Sequence, residues 1–406
     1  MEELDALRDE VNTLKRSHRL ETVGFGTHLA TESEKLGNPK SSSSSNSETL
    51  EDEIMGLQNE SKSCPETYHL KVRREYLGHY SKIMDIDWSP DGLHFASVAL
   101  DGKLMVWDAE SSLKKRSIKL DTQFINACSW DKNQGKLVAT GGFDNVITLH
   151  LIDLESQPVD ASQNIPPISK LDGHEACITE IEFLKNDTSL ASTSADGTLR
   201  LWDSITAKCI YCTDAHLGEA STLAISKEGN IGVNVIATGG SDAGVCIHDI
   251  RTQSQGRLPL GGILKKFPGH MEEVTAVRWI PNGTGHGLIS ACVDGSVRIW
   301  DLRAGAFLQA LSYRGNKTNN QVRIESMNSL NTATVSASGR YIFAGAEDGC
   351  IVQWDLLKLK CTSSHAYDPN LYCEPCHEEP VSKLRIHPNG ECLLSSGHDS
   401  LIRLWA

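Results

Sequence analysis

The stretch DGKLMVWDA, residues 101–109, opens with an Asp-Gly turn, continues as a short alternating strand and ends on Trp-Asp. Near copies begin at Asp196 (DGTLRLWDS), Asp294 (DGSVRIWDL) and Asp348 (DGCIVQWDL), and a shortened copy, DSLIRLWA, begins at Asp399. An Asp-Gly pair favours a tight hairpin, because glycine accepts the positive φ that such a turn requires. Recurrence of one hairpin signature indicates a repeat architecture.

Seven turn aspartates align at intervals of 43–54 residues: Asp101, Asp144, Asp196, Asp242, Asp294, Asp348 and Asp399. Trp or His stands six residues after each of them, and Ser or Thr stands four residues before all but one. A His lies 22–26 residues upstream in five repeats. Repeats one, three, five and seven carry the full set of four residues: His79, Ser97, Asp101 and Trp107; His174, Ser192, Asp196 and Trp202; His270, Ser290, Asp294 and Trp300; His377, Ser395, Asp399 and Trp405.

The other three repeats depart from this pattern. Repeat two has no upstream His, and repeats two and four have His150 and His248 where the others have Trp. Repeat six lacks both the His and the hydroxyl residue, since Ala344 occupies that position. We therefore expect blade six to be the loosest.

These offsets, recurring together seven times, resemble the WD40-repeat family. In that family the His, Ser or Thr, Asp and Trp form one hydrogen-bonded chain that ties the outer part of a blade to its inner strands. The resemblance implies an all-β fold, a seven-bladed WD40 β-propeller over residues 67–406. Residues 68–77 (YHLKVRREYL) precede the first His, so we expect them to form the outer strand of the last blade and to close the ring beside Trp405.

Two further segments precede the repeats. Residues 1–20 carry Leu4, Leu7, Val11 and Leu14 at spacings of three, four and three, the a/d pattern of a coiled coil. A partner helix would cover this stripe; the alternative is a frayed N-terminal helix, because so short a helix is marginal alone in water. Residues 21–66 hold nine acids against three lysines and the run SSSSSNSETLEDE, which predicts an acidic, Ser-rich flexible linker.

Composition excludes several classes of function. A net charge of −14 opposes binding to nucleic acid or to anionic lipid. The charged start MEELDALRDE lacks the apolar core of a signal peptide, so a cytoplasmic protein is expected. CEPCH (373–377) matches a haem-attachment pattern, but His377 already fills a repeat position. We therefore predict no enzyme activity, no cofactor and no metal site.

A narrower resemblance, to the β subunits of heterotrimeric G proteins, rests on four stretches: MEELDALRDEVNTLKRS, VRREYLGHYSKIMDIDWSPDG, GGFDN and the terminal DSLIRLWA. It implies a non-catalytic transducer that forms an obligate dimer with a Gγ subunit through residues 1–20. It also implies binding of GDP-bound Gα and of downstream effectors on one face of the propeller. The protein would then lie at the inner face of the plasma membrane through its lipidated partners.

The same resemblance implies specific contact residues. Positions that match the family's Gα- and effector-facing set are Lys82, Lys103, Lys114 and Asn145; Phe124 keeps an aromatic ring, and Glu219 and Glu273 keep an acid. Other positions depart: Met84 and Cys177 stand for tyrosines, Asn126 and Ser221 for methionines, Val293 for an acid, His398 for a tryptophan and Phe143 for a leucine. These departures leave open whether Gα binding survives or Gα has diverged in step.

Two alternatives remain from the sequence. In the first, Lys82, Lys103 and Lys114 are ordinary solvated charges on loops and contact no partner. The whole chain is also consistent with a general WD40 scaffold, or a ubiquitin-ligase substrate adaptor, that self-associates through its N-terminal coil.

Overall fold

The computed structural model describes residues 70–154, 166–185, 188–226, 235–250, 263–281, 286–313, 328–357 and 372–406. The predicted coiled-coil helix (1–20) and acidic linker (21–66) lie outside these residues. The described part of the chain consists of strands, turns and connecting segments without an α-helix. Within it, no helix could cross a membrane.

Twenty-eight strands form seven antiparallel sheets of four, one sheet for each repeat, and each sheet runs from an innermost strand beside the central channel to an outermost strand. In that order, blades one to four are β2 Ile83–Trp88, β3 His94–Ala99, β4 Lys103–Asp108, β5 Lys114–Lys119; β6 Ile125–Trp130, β7 Leu137–Gly142, β8 Ile147–Leu151, β9 Ser169–Leu171; β10 Ile178–Phe183, β11 Ser189–Ser194, β12 Thr198–Asp203, β13 Lys208–Asp214; and β14 Ala220–Ile225, β15 Val235–Gly240, β16 Gly244–Asp249, β17 Ile263–Pro268.

Blades five to seven complete the ring, and the first strand of the chain belongs to the last blade. They are β18 Val274–Trp279, β19 Gly287–Cys292, β20 Ser296–Asp301, β21 Ala306–Ser312; β22 Leu330–Val335, β23 Tyr341–Ala346, β24 Cys350–Asp355, β25 Tyr372–Pro375; and β26 Val381–Ile386, β27 Leu393–Gly397, β28 Leu401–Trp405, β1 Val72–Leu77. The seven-bladed propeller expected from the sequence is confirmed. The ring is closed by the pairing of β1 with β28, in which Val72 lies opposite Trp405 and Leu77 lies opposite Leu401.

The ring is held together by seven apolar clusters, each of which lies between two neighbouring blades. At the closing seam, Tyr76 of β1 is 1% exposed, and its ring packs edge-on against Phe95 of blade one at 4.9 Å. The Tyr76 hydroxyl donates to the Ala109 carbonyl at 2.7 Å. Each blade therefore buries apolar surface on both sides, which is why the closed ring is needed for its stability.

The antiparallel order gives the ring two ends, which we call the turn face and the far face. The turn face carries the seven turns that contain the repeat aspartates, together with the loops that lead from each outer strand into the next blade. The far face carries the loops between the first and second, and between the third and fourth, strands of each blade.

The four residues of the repeat pattern form a connected hydrogen-bond chain. In blade one, His79 Nδ1 lies 3.0 Å from Asp101 Oδ2 and His79 Nε2 lies 2.7 Å from Ser97 Oγ. Trp107 Nε1 donates to the same hydroxyl at 2.8 Å. Blades three and seven repeat this arrangement with distances of 2.8–2.9 Å. These buried donors and acceptors are each satisfied, which contributes about 1 kcal/mol per bond.

Blade four completes the chain with a different terminal residue. His216 bonds to Asp242 at 2.8 Å and to Thr238 at 2.9 Å, and Thr238 bonds to His248 Nε2 at 3.0 Å. His248 thus occupies the place of the missing Trp. Burial lowers the pKa of His248 to about 3, so this ring is neutral in the folded protein.

Blade six replaces the missing His by two residues that the sequence pattern did not reveal. Asn328 Nδ2 and Tyr313 Oη both donate to Asp348 Oδ2, at 2.7 and 2.9 Å. Trp354 Nε1 is nevertheless buried without a hydrogen-bond partner, because Ala344 offers no hydroxyl. The expected looseness of this blade stays a prediction.

We predict that Ala344→Ser raises the free energy of unfolding by about 1 kcal/mol, because the new hydroxyl would accept a bond from the unpartnered Trp354 Nε1. Urea unfolding measures the effect. Ala346→Ser is the matched control: it adds the same hydroxyl to the same buried strand and should destabilise. An Ala344→Ser variant no more stable than the parent would contradict the prediction.

The neutral His248 predicts a pH dependence. Unfolded histidine titrates near pH ~6.5, whereas the folded pKa is about 3. As pH falls through that window the unfolded chain takes up a proton that the folded chain refuses, so stability is lost. His248→Trp, which installs the residue used by the other blades, should flatten the slope of unfolding free energy between pH 7 and 5. Parallel slopes in parent and variant would disprove this.

Candidate functional site

Two sevenfold-equivalent positions form the rim of the turn face. In every blade the residue just before the innermost strand offers its carbonyl to the backbone N–H of the residue just before the turn Asp, at 2.9–3.2 Å. The acceptors are Lys82, Phe124, Cys177, Glu219, Glu273, Ser329 and Pro380; the donors are Leu100, Phe143, Ala195, Ser241, Val293, Glu347 and His398. One backbone hydrogen bond per blade therefore holds these two positions in the same arrangement all around the rim.

This rim gathers most of the residues that the sequence resemblance singled out. Lys82, Phe124, Glu219 and Glu273 all lie at the acceptor position, and the departing Cys177 lies there too. The departing Phe143, Val293 and His398 lie at the donor position. Residues scattered over more than 300 positions of the chain thus share one face.

Lys103, the first residue of β4, and Asn145, in the turn of blade two, lie on the same face. The Lys103 ammonium stands 5.0 Å above the Tyr80 ring, a cation–π geometry. Asn145 has φ 63°, at the position where Gly102 has φ 69°, and its side chain donates to the Glu175 carbonyl of the next blade at 3.2 Å. The left-handed backbone of this turn therefore explains the asparagine at position 145, since asparagine tolerates that conformation.

Lys114 does not join this group. It begins β5 and pairs with Trp107, whereas Lys103, at the start of β4, pairs with Lys119 at the opposite end of β5. Lys114 is exposed near the far face of blade one. Over a six-residue strand this separation is roughly 17 Å along the blade.

Three large apolar side chains project from the turn face that sequence reasoning had not singled out. Tyr80, Leu217 and Met271 are 84%, 93% and 84% exposed. Each directly follows a repeat His, and its backbone N–H donates to the turn Asp at 3.3–3.4 Å. The signal was present in the sequence, because an apolar residue immediately after the structural His must point outward.

Phe124 and Phe143 add an exposed aromatic pair to the rim of blade two. The two rings meet edge-on at 6.0 Å and are 51% and 62% exposed. Phe124 has φ 62°, a conformation that is an outlier for a bulky side chain and costs of order 1–3 kcal/mol. The fold holds this ring outward against both backbone strain and exposure, which is typical of an interaction site.

Polar side chains link the blades just inside the rim. The second residue of each innermost strand lies at a β-bulge. Asn126 there donates to the Ile178 carbonyl of the next blade at 3.3 Å, and Ser221 donates to the Glu273 carboxylate. Two departures from the family pattern therefore have a structural role. Equivalent bonds are Thr179 to Ala220 at 2.5 Å, Thr275 to Leu330 at 2.6 Å and Asn331 to Val381 at 3.1 Å.

Charge is unevenly placed around the rim. Lys82 is exposed beside His398, and burial together with the Lys82 ammonium lowers the pKa of His398. Two blades away from Lys82 on the ring, Cys177 lies near the Glu219 carboxylate; burial and this carboxylate raise the pKa of the Cys177 thiol. The rim thus carries a basic side at blade one and acids at blades four and five.

The central channel is crossed by buried ion pairs that sequence reasoning missed. Glu180 of blade three accepts bonds from Arg278 at 2.8 Å, Lys383 at 3.2 Å and Arg385 at 3.3 Å. Burial alone would raise the pKa of Glu180, but these three cations hold it well below its usual range. Arg385 also bonds to Asp85 of blade one at 3.4 Å. The channel is therefore internally neutralised and rigid.

The far end of the channel opens into a cavity of about 480 Å³, lined by the ends of the innermost strands of all seven blades. Lys132 and Asp87 meet there at 2.6 Å, and Trp88 and Trp279 form part of the wall. Two further cations of its wall, Arg278 and Arg385, bond to Glu180 of the channel. The exposed apolar rings and the mixed charges of the turn face are the better fit to a macromolecular partner.

Comparison with known proteins agrees with this architecture. The family model "WD domain, G-beta repeat" matches residues 70–108, 165–203, 261–301, 321–355 and 370–406. The two unmatched repeats, two and four, are those with His150 and His248 in place of Trp.

Curated relatives named guanine nucleotide-binding protein subunit beta align along most of the chain. Those of Oryza sativa subsp. japonica and Arabidopsis thaliana are each 29% identical, over 82% of this chain and 82% of their own length. That of Nicotiana tabacum is 26% identical, over 88% and 90%. The chain therefore carries WD40 repeats and is a divergent homologue of the G-protein β subunits, which supports a role as a WD40 signalling scaffold.

Proposed function

We propose that the protein is the β subunit of a heterotrimeric G protein: a non-catalytic transducer that pairs with a Gγ subunit, binds GDP-bound Gα and, once released, binds effectors. The observation that carries this proposal is the concentration of exposed apolar groups on the same face as the residues expected from the family. Tyr80, Phe124, Phe143, Leu217 and Met271 are all at least half exposed on the turn face.

The physical reason is that such groups cost solvation free energy unless a partner covers them. Interfaces concentrate their affinity in aromatic and large apolar side chains surrounded by polar residues. On this protein the apolar groups are bordered by Lys82 and Lys103 on one side and by Glu219 and Glu273 on the other. One rigid face would bind either Gα or an effector, so nucleotide exchange on Gα would decide which is bound.

Residues 1–20 would form the coiled coil with Gγ through Leu4, Leu7, Val11 and Leu14. The lipid group of the γ subunit would hold the otherwise acidic protein at the inner face of the plasma membrane, since the net charge of −14 opposes direct adhesion to anionic lipid. Localisation at that membrane is part of this proposal.

The Gα interface predicts a sharp difference between two exposed apolar residues. Leu217→Asp on the turn face should weaken binding of GDP-loaded Gα by more than about tenfold, because it replaces an exposed apolar contact group by a charge. Ile205→Asp is the matched control: Ile205 is 75% exposed between β12 and β13 on the far face. Calorimetry with purified Gα measures both. Equal affinities for the two variants would reject the turn face as the Gα site.

The Gγ partnership is tested by purifying the full chain from its own cells and identifying its partners by mass spectrometry. We expect a small prenylated helical subunit at equal stoichiometry, and we expect Leu7→Asp to abolish its capture. Arg8→Asp, which adds the same side chain outside the a/d stripe, should not. A homodimer without a small subunit would instead support the self-associating scaffold or substrate adaptor.

A further inference from the structure

Blade five departs from the other four blades in which a His bonds to the turn Asp. In blades one, three, four and seven the His Nδ1 to Asp carboxylate distance is 2.8–3.0 Å. In blade five, His270 Nδ1 and Asp294 Oδ2 are 3.8 Å apart. This distance is too long for a direct hydrogen bond. The direct link between the imidazole and the carboxylate is therefore open, and the Ser296 hydroxyl bridges the two groups, 3.5 Å from His270 Nδ1 and donating to Asp294 Oδ1 at 2.5 Å.

A cysteine stands beside this open pair. Cys292 precedes Asp294 by two residues, is 0% exposed, and its thiol donates to the Glu272 carbonyl at 3.2 Å. Asp294 N in turn donates to the sulfur at 3.4 Å.

Blade three shows that these two bonds do not require sulfur. Ser194, at the equivalent position, donates to Ala176 at 2.9 Å and accepts from Asp196 N at 3.1 Å. The hydrogen bonds of this turn therefore do not require the thiol of blade five, since a hydroxyl makes the same two bonds in blade three.

We propose that His270, Cys292 and Asp294 form a binding site for a zinc ion or a similar divalent transition metal. Their ligand atoms lie within 4.8 Å of one another. Tetrahedral zinc bonds of about 2.0–2.3 Å place neighbouring ligands roughly 3.3–3.7 Å apart, so the three groups would need to close by only about 1 Å. Nitrogen, sulfur and carboxylate are the ligand types that zinc prefers.

The surrounding hydrogen bonds suit metal binding. His270 Nε2 lies 2.5 Å from Ser290 Oγ, to which Trp300 Nε1 also donates at 2.7 Å. When Nε2 carries the ring proton and donates to Ser290, the Nδ1 lone pair binds the ion in place of its 3.5 Å contact with the Ser296 hydroxyl. The Ser290 hydroxyl then fixes the orientation of the ring. Three protein ligands would leave the fourth tetrahedral position to a water molecule.

The test is titration of the full-length, metal-free protein with Co²⁺ and then Zn²⁺. We expect a near-ultraviolet thiolate-to-cobalt absorption that zinc displaces at one equivalent. Cys292→Ser should abolish the absorption and weaken zinc binding more than about 100-fold. It should leave the unfolding midpoint of the metal-free protein unchanged, as the serine of blade three indicates.

Cys392→Ser is the matched control. It removes a thiol just before β27 on the far face and should preserve the absorption and the zinc affinity. A parent protein without the thiolate absorption, or a Cys292→Ser variant that keeps it, would overturn the proposal. Failure of this test leaves the proposed G-protein role untouched, because that role needs no metal.

Discussion

The carboxylate of the turn aspartate is the group on which the rest of the structure depends. In blade one, Asp101 accepts from the Lys103 backbone, from the Tyr80 backbone and from His79. It therefore ties the hairpin turn, the loop from the preceding blade and the buried chain through Ser97 to Trp107 into one unit. The same bonds that hold a blade together also set the outward direction of the residue after the His. The fold and the proposed interaction face therefore share one set of contacts.

Variation among the blades shows which parts of this unit are replaceable. His248 replaces an indole in blade four, and Asn328 with Tyr313 replaces an imidazole in blade six. Each substitute keeps the carboxylate or the hydroxyl satisfied, because an unpaired buried polar group costs about 1–3 kcal/mol. Trp354 is the exception, and it marks the one repeat in which the hydroxyl itself is missing.

The channel and the rim differ in whether their energetically costly groups are compensated within the protein. In the channel, acids on blades one and three face bases on blades five and seven, so buried charge is compensated across the ring. At the rim, apolar side chains are left in water and backbone strain is retained at Phe124. Blades two to six also carry polar links between neighbours inside the rim, at positions that include Asn126 and Ser221. These links give a structural reason for two positions at which the sequence departs from the G-protein β pattern.

The sequence by itself determined the blade number, the strand that closes the ring and the four-residue chains, because each follows from local spacing that one repeat can carry. It also pointed to Lys82, Phe124, Glu219 and Glu273, although it gave no reason for them to lie together. It could not place Lys114 at the opposite end of its strand, or show that Tyr80, Leu217 and Met271 lie together on the turn face. Nor could it show Glu180 meeting Arg385 across the channel, 205 positions away in the chain, or the opened pair in blade five. Ring closure brings Glu180 and Arg385 within bonding distance, and packing within blade five sets the distance between His270 and Asp294, so only the tertiary structure could decide them.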